Sequence, residues 1–477
     1  MMTLRTMLAV CGLLAGTAGE VAAQQPTPAP ATPAAPAPAT PAAPAMSPAA
    51  ADTGALNPAG QAVRRVTLAQ ALQLGREYNP DEVTAQQNLR LANMGVTEAW
   101  GAYLPTVTGN FSSSKSSSQR VNQFGTVTTG APTDNSSFGL SANLNLFTGF
   151  QRGANRRAAV ATRDLNQAAL LQQDYATDLN TKQAFFAALS TQELVGVAQA
   201  NLAQNDQQLR LTTEKLRLGA TTRSDSLTAS VAYGTAEVQL IQAKANALTA
   251  QATLARAIGL QGMVAAIPDT TLEVRLASLD TAALRQEAEA TAPAVVQAQA
   301  SVAETRASLS AQRAQYWPTL SLGASQRWSG SVLFPWDATP AGASQTYTGT
   351  WSVGVSLSYP IFNGFVREAS IVTADANAIA AQARLRDARL LLDANLTQDV
   401  TALDAAAAQI DVSRTSVAAA QESLRMQQER YRLGASTIVD LLTAETALNQ
   451  AEVTLVEARY NYLIARATLE ALVGHTL

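Results

Sequence analysis

The 477-residue sequence is almost empty of the side chains on which most enzyme chemistry depends. It has one histidine, His475, isolated near the C-terminus, and one cysteine, Cys11, so nucleophile–base pairs built on either residue are excluded. No Gly-x-x-x-x-Gly-Lys phosphate loop and no His-x-x-x-His metal pair occurs, and nucleotide hydrolysis and common zinc chemistry therefore lack their parts. Neither a cofactor nor a bound metal is expected. Charge is scarce too: 14% of residues are charged and the net charge is −3, which gives nucleic acid nothing to bind. The carboxylates fall mainly on helical stretches, where solvation of a polar face accounts for them. Beyond the N-terminus no run of eighteen apolar residues appears, so a membrane-spanning helix is excluded. If this chain crosses a bilayer, it crosses by strands.

Residues 1–23 combine Arg5, an apolar run from Met7 to Leu14 and the small ending Val21-Ala22-Ala23. That is the pattern of a secretory signal peptide cleaved after Ala23. Cys11 lies in the apolar run, and the mature chain is then free of thiols. Leu8-Ala9-Val10-Cys11 admits a lipoprotein reading, against which stand the short preceding stretch and the poor fit of Val10. Residues 24–60, mostly Ala and Pro, cannot bury a core and are expected to form a disordered linker.

The remainder is one unit written twice. Leu216-Arg217-Leu218-Gly219-Ala220-Thr221-Thr222 matches Tyr431-Arg432-Leu433-Gly434-Ala435-Ser436-Thr437 at an offset of 215 residues. The same offset pairs Asp225 with Asp440, Gly259 with Gly474, and Phe147-Thr148-Gly149-Phe150 with Phe362-Asn363-Gly364-Phe365. Upstream, Tyr103-Leu104-Pro105-Thr106 matches Tyr316-Trp317-Pro318-Thr319 at an offset of 213, placing a two-residue length change in the segment between. Loop tips absorb such changes most easily, which marks that segment as a hairpin. The first repeat is expected over 61–262, the second over 281–474, with 263–280 as connector.

Within each repeat the same elements recur. Asn79-Pro80-Asp81-Glu82 sets a capping Asn before a Pro at the first helical position, opening a helix to about Ala102. A hairpin follows at about 104–147, then a proline-free stretch rich in Ala, Gln and Leu at about 151–218, and a helix at about 223–258. The second repeat gives a hairpin at about 318–360, a long helix at about 366–433 and a returning helix at about 438–473. Some 68 helical residues span about 100 Å at 1.5 Å per residue, far beyond a compact domain, so each unit is a long antiparallel rod. On the helices alone an ordinary coiled-coil scaffold remains open.

The strands narrow the class. Trp351, Val353, Val355, Leu357 and Tyr359 alternate with Thr350, Ser352, Gly354, Ser356 and Ser358, and residues 138–146 and 319–325 alternate in the same way. One greasy face, one uncharged polar face and terminal aromatics suit a transmembrane barrel with a wet lumen, although a half-buried soluble sheet alternates too. Four strands are too few to close a barrel, and an open edge inside hydrocarbon leaves backbone groups unpaired, so the chain is expected to assemble with copies of itself.

At this point the chain resembles the TolC-like outer membrane factors from about Val66 to Gly474. The resemblance rests on the duplication, Asn79-Pro80, Ala102-Tyr103-Leu104-Pro105, Pro360-Ile361-Phe362-Asn363-Gly364 before Arg367, and the two Leu-Gly-Ala turns. Phe365 departs from it, standing where many members carry a second glycine. The resemblance implies a homotrimer whose four strands per protomer close a twelve-stranded β-barrel continued by a long α-helical barrel. It implies a passive exit duct in the outer membrane, reaching into the periplasm and joined through a periplasmic adaptor to an inner-membrane pump of RND or ABC type. Outer-membrane lipid would surround the strands. A trimeric cell-surface structural or adhesive protein is the alternative from another class.

The resemblance also assigns residues. Arg217, Leu218, Gly219 and Ala220, with Arg432, Leu433, Gly434 and Ala435, would form the tips where the adaptor docks, though glycine at a helix end also serves as a plain stop. Asp225 and Asp440 match positions whose carboxylates ring the periplasmic entrance, and Tyr431 matches a tyrosine that can bond the first-repeat aspartate and hold the entrance closed. Thr222 with Asp225, and Thr437 with Asp440, also fit capping boxes, and both roles stay open. Ser436 and Thr443 depart from the pattern where an arginine and a second acid can sit.

Overall fold

A computed structural model describes residues 64–117, 119–121, 123–125, 127–129, 133–268, 280–331 and 348–477. The expected leader, the Ala/Pro-rich segment and most of the connector lie outside these described residues.

The described residues open with a short strand β1 (Arg64–Val66), helix α1 (Leu68–Tyr78) and helix α2 (Pro80–Gly101). Between the helices Asn79 turns the chain: its Oδ1 accepts the Asp81 backbone N–H at 2.9 Å and caps α2, while its Nδ2 donates to the Ala257 carbonyl at 3.1 Å. Strand β2 (Thr106–Ser116) follows, then a small ribbon of β3 (Gln119–Val121) and β4 (Val127–Thr129), and strand β5 (Thr133–Thr148). Helix α3 (Gln151–Arg217) and helix α4 (Arg223–Ala257) form the first rod. Strand β6 (Val264–Ala266) pairs in parallel with β1, tying the residues before α1 to the segment after α4.

The second repeat holds α5 (Thr281–Thr291), α6 (Pro293–Arg313), a single 3₁₀ turn (Ala314–Tyr316), β7 (Thr319–Gly330), β8 (Thr348–Ser358), α7 (Val366–Arg432) and α8 (Ile438–Val473). Both long helices have 67 residues, about 100 Å each at 1.5 Å per residue. No helix among the described residues is long and apolar enough to cross a membrane.

Small side chains let the helices approach closely. Ala229, Ala236 and Ala247 are buried on α4, and Ala374, Ala378 and Ala381 on α7. Bulk collects mid-rod, where Phe185, Phe186 and Leu189 of α3 meet Leu254 and Ile258 of α4, Val66 of β1 and Val264 of β6. A second core joins Leu396, Leu403 and Ile410 of α7 to Tyr462 and Leu469 of α8 and Val295 of α6. A third, near the far end, packs Leu424 of α7 against Leu441, Ala444 and Leu448 of α8.

The two hairpins are not separate. They join through β5 and β7 into one antiparallel sheet of order β2-β5-β7-β8, with a bulge between Asn145 and Phe147. In this register Val107, Ala142, Ala324 and Val353 form one row of the apolar face, and Gly109, Leu140, Gln326 and Trp351 the next. Phe138 stacks on Trp328 at 5.6 Å at one end of that face, and Phe147, Phe150 and Trp317 cluster at 5.4–5.6 Å at the helical end. The opposite face carries hydroxyls paired across strands: Thr108 with Ser141 at 2.6 Å, Ser112 with Ser137 at 2.8 Å, Ser321 with Ser356 at 2.7 Å and Ser325 with Ser352 at 2.9 Å. Among the described residues nothing covers the greasy face, where Trp351, Val353, Val355 and Leu357 are 63–75% exposed. Both β2 and β8, eleven residues each, end the sheet as open edges.

Candidate functional site

The α3–α4 and α7–α8 turns have one geometry, and the sequence dictates it. In the first, the Ala220 N–H reaches back to the Lys215 carbonyl at 2.8 Å and the Gly219 N–H to that of Leu216 at 3.0 Å. In the second, Ala435 reaches Arg430 at 2.8 Å and Gly434 reaches Tyr431 at 3.2 Å. These bonds satisfy carbonyls that a helix end leaves free, and they require a left-handed residue, supplied by Gly219 at φ +72° and Gly434 at φ +74°. Arg217 is held by Glu214 at 2.5 Å and Arg432 by Glu429 at 3.0 Å, each on its own helix. Leu218 and Leu433 project from the tips, 67% and 73% exposed. An apolar side chain flanked by an arginine, offered twice at the end of a rod, is a surface that another protein can cover.

Just past each turn a capping box starts the returning helix. Asp225 Oδ2 accepts from Thr221 Oγ1 at 2.6 Å and from the Thr222 N–H at 3.2 Å, while Thr222 Oγ1 accepts the Asp225 N–H at 3.2 Å. Asp440 repeats this with Thr437 Oγ1 at 2.7 Å and the Thr437 N–H at 3.0 Å, adding Ser436 Oγ at 3.4 Å. The Thr221 hydroxyl chiefly holds the Asp225 carboxyl below the usual range, and the Thr437 hydroxyl and N–H do so for Asp440. Both groups are therefore ionised at neutral pH, and the bonds named that their carboxylates accept all fall on Oδ2. The capping role is thus observed directly, and it leaves each anion with an oxygen for other partners.

Tyr431 does not bond Asp225 within the chain. Its ring lies under the Lys215 ammonium at 4.1 Å, joining the first rod to the second, and its buried hydroxyl has no hydrogen-bond partner. Lys215 was not singled out in the sequence, because no spacing rule links a residue of one repeat to a ring in the other. Glu445 also escaped notice: it sits one turn beyond Asp440, 5% exposed, with Oε2 unpartnered, and burial pushes its carboxyl up to about 7. Its signal was a carboxylate among Leu441, Ala444 and Leu448 on the core side of α8.

At the other end the sheet defines what surrounds it. From Leu320 to Trp328 the apolar face rises about 27 Å at 3.4 Å per residue, which after strand tilt matches the apolar band of an outer-membrane barrel, bounded by aromatics at both ends. A lipid-facing sheet with two unpaired edges, continued by 100 Å rods of helix, defines a wall segment of a membrane channel. The chain belongs to the outer membrane efflux protein family, whose family model matches residues 71–260 and 284–475, one stretch in each repeat.

Among similar proteins, the outer membrane efflux protein BepC of Brucella suis is 26% identical over 421 residues, covering 86% of each chain. The outer membrane protein TolC of Escherichia coli is 27% identical over 369 residues, covering 70% of this chain and 74% of TolC. The alkaline protease secretion protein AprF of Pseudomonas aeruginosa is 26% identical over 348 residues, covering 70% of this chain and 69% of AprF. The fold is that of solved outer-membrane channels. The CmeC channel of Campylobacter jejuni superposes with a TM-score of 0.69 at 17% identity over 85% of both chains, and VceC of Vibrio cholerae with 0.67 at 17% over 86% of this chain and 96% of its own. The strands accordingly lie in the outer membrane and the rods extend into the periplasm.

Proposed function

We propose that three copies of this chain form the outer-membrane exit duct of a tripartite efflux or type I secretion system. The observation that carries this reading is the sheet itself: its greasy face fits lipid, yet β2 and β8 leave their backbone groups open. Unpaired N–H and C=O groups cost several kcal/mol each in hydrocarbon, so β8 of one copy pairs with β2 of the next until the wall closes. Three copies of the four strands give twelve, a number that encloses an open lumen. The helices support the same assembly. On α4, Leu227, Val231, Val238 and Ile241 are 58–70% exposed and recur with the spacing of a coiled-coil seam whose partner is not in the chain.

In that assembly the tips Arg217–Ala220 and Arg432–Ala435 dock a periplasmic adaptor, which links the duct to an inner-membrane pump. Asp225 and Asp440 draw near the axis and form a cation-favouring constriction, with Tyr431 helping to keep it closed. The chain performs no chemistry of its own and supplies passage alone. Efflux and protein secretion are both represented by name among the relatives, BepC for the first and AprF for the second.

Native mass measurement of detergent-extracted protein, followed by recording in planar bilayers, tests this reading. A conducting trimer is expected, and a monomeric or non-conducting membrane protein would sink it in favour of a surface adhesin. Asp440→Asn should weaken block by multivalent cations added at the periplasmic side. Leu218→Glu with Leu433→Glu should abolish capture of the adaptor while conductance persists.

A further inference from the structure

Across the four strands the hydroxyl-bearing face carries a single charged side chain among the described residues, Arg327 of β7. The face is otherwise Ser, Thr, Asn and Gly: Arg327 shares it with Ser321 and Ser325 on its own strand, Ser137 and Ser141 on β5, and Ser352 on β8. Its placement is built. The residue opposite Arg327 on β5 is Gly139, and a Cβ added there would sit 3.9 Å from the Arg327 Cγ. The missing side chain leaves a bed along which the arginine lies toward Ser137. Its Nη2 donates to Ser137 Oγ at 3.0 Å, and that buried hydroxyl pairs in turn with Ser112 Oγ at 2.8 Å. No carboxylate of the described residues pairs with Arg327. Lys115 and Asp134, near this end of β2 and β5, lie on the greasy face's side of the strands, 3.5 Å apart, and neutralise each other.

Resting on the duct reading, we propose that Arg327 from each copy forms a cationic ring just inside the outer mouth of the lumen, which favours anionic solutes and binds polyanions. A charge on this face must meet water, because the opposite face takes the lipid. Arg327 stands eight residues above Thr319, so about 27 Å along the strand from the helical end, level with the Phe138–Trp328 stack. A twelve-stranded wall with the usual strand spacing and tilt has a radius of about 12 Å, and a guanidinium lying on that wall comes within about one Debye length, ~8 Å, of the axis. Three such groups leave no neutral path through the section. A planar fork of five N–H donors, of which one is tied to a protein acceptor among the described residues, suits phosphate, sulfate and carboxylate groups. The ring is opposite in sign to the aspartates proposed for the periplasmic end, so the two ends of the conduit discriminate differently.

The test is ion selectivity and sided block in planar bilayers, comparing wild type with Arg327→Ser and Arg327→Lys, each first shown to elute as the wild-type oligomer. Inositol hexakisphosphate is the polyanion probe. Wild type should be blocked from the strand end more strongly than from the helical end. Arg327→Ser should lose that block at least tenfold and shift the potassium-to-chloride permeability ratio about threefold toward potassium, while Arg327→Lys, which keeps the charge without the fork, should hold the ratio near wild type and lose only part of the block. A conducting Arg327→Ser channel with unchanged selectivity and block overturns this inference and leaves the duct reading standing. A wild-type protein that never conducts overturns both.

Discussion

The Lys215 ammonium lies 4.1 Å from the centre of the Tyr431 ring, so near the periplasmic tips the two repeats are joined by a cation resting on an aromatic face and not through the tyrosine hydroxyl. A cation–π contact of this kind contributes about 0.5–1 kcal/mol where water has access. Tyr431→Phe keeps the ring and loses only an unpartnered hydroxyl, so single-channel conductance should stay within about twofold of wild type. Tyr431→Ala removes the contact and should raise the open fraction. A large opening in the Phe variant would instead show that the hydroxyl bonds a neighbouring copy.

Glu445 gives the tip region a dependence on pH whose sign follows from burial. Desolvation raises its carboxyl from 4.5 to about 7, so the folded rod prefers it protonated. The stability of that neutral form is complete below pH 4.5 and is lost as pH climbs through about 7. Glu445→Gln should flatten the fall in thermal stability between these limits, a difference of about 1–3 kcal/mol at pH 8. Glu82 is displaced to about 7 by burial and by its neighbour Asp174, so the slope should not vanish entirely.

The two faces of β8 should respond oppositely to charge. Val353→Lys sets an ammonium on the greasy side, where a mid-bilayer lysine costs about 2–4 kcal/mol, and the yield of assembled protein should fall sharply. Ser352→Lys, one residue away, faces the hydroxyl side and should assemble normally while lowering potassium conductance. Equal assembly of both variants would contradict the assignment of faces.

Glycines with the same backbone sign should differ widely in what they tolerate. Gly434 at φ +74° has open space around it, so Gly434→Ala meets only backbone strain, about 1 kcal/mol. Gly259 at φ +72° lies against the Tyr78 carbonyl, which a methyl group would overlap, and Gly259→Ala should cost about 3 kcal/mol or more. Denaturant midpoints of the two variants measure the contrast.

Fold class was legible because it is written in periodicity: the alternation from Trp351 to Tyr359 and the proline-free run after Gln151 each demand one kind of element. The capping pairs Thr222–Asp225 and Thr437–Asp440 were legible for the same reason, being local rules obeyed locally. Hidden features depend on residues far apart in the chain. The three-residue strands β1 and β6 exist because Val66 and Val264 share the core around Phe185. The partnership of β5 with β7 cannot be read from either strand, since both alternate and neither carries a turn signal toward the other. Lys215 and Tyr431 meet for similarly non-local reasons.

Among the described residues the β1–β6 ribbon, between Arg64–Val66 and Val264–Ala266, occurs once, while rods and hairpins occur twice. An assembly of three chains would therefore carry six helical tips around its axis but the ribbon only three times. A sleeve or ligand grasping that ribbon in a three-chain tube would find equivalent footholds every 120°.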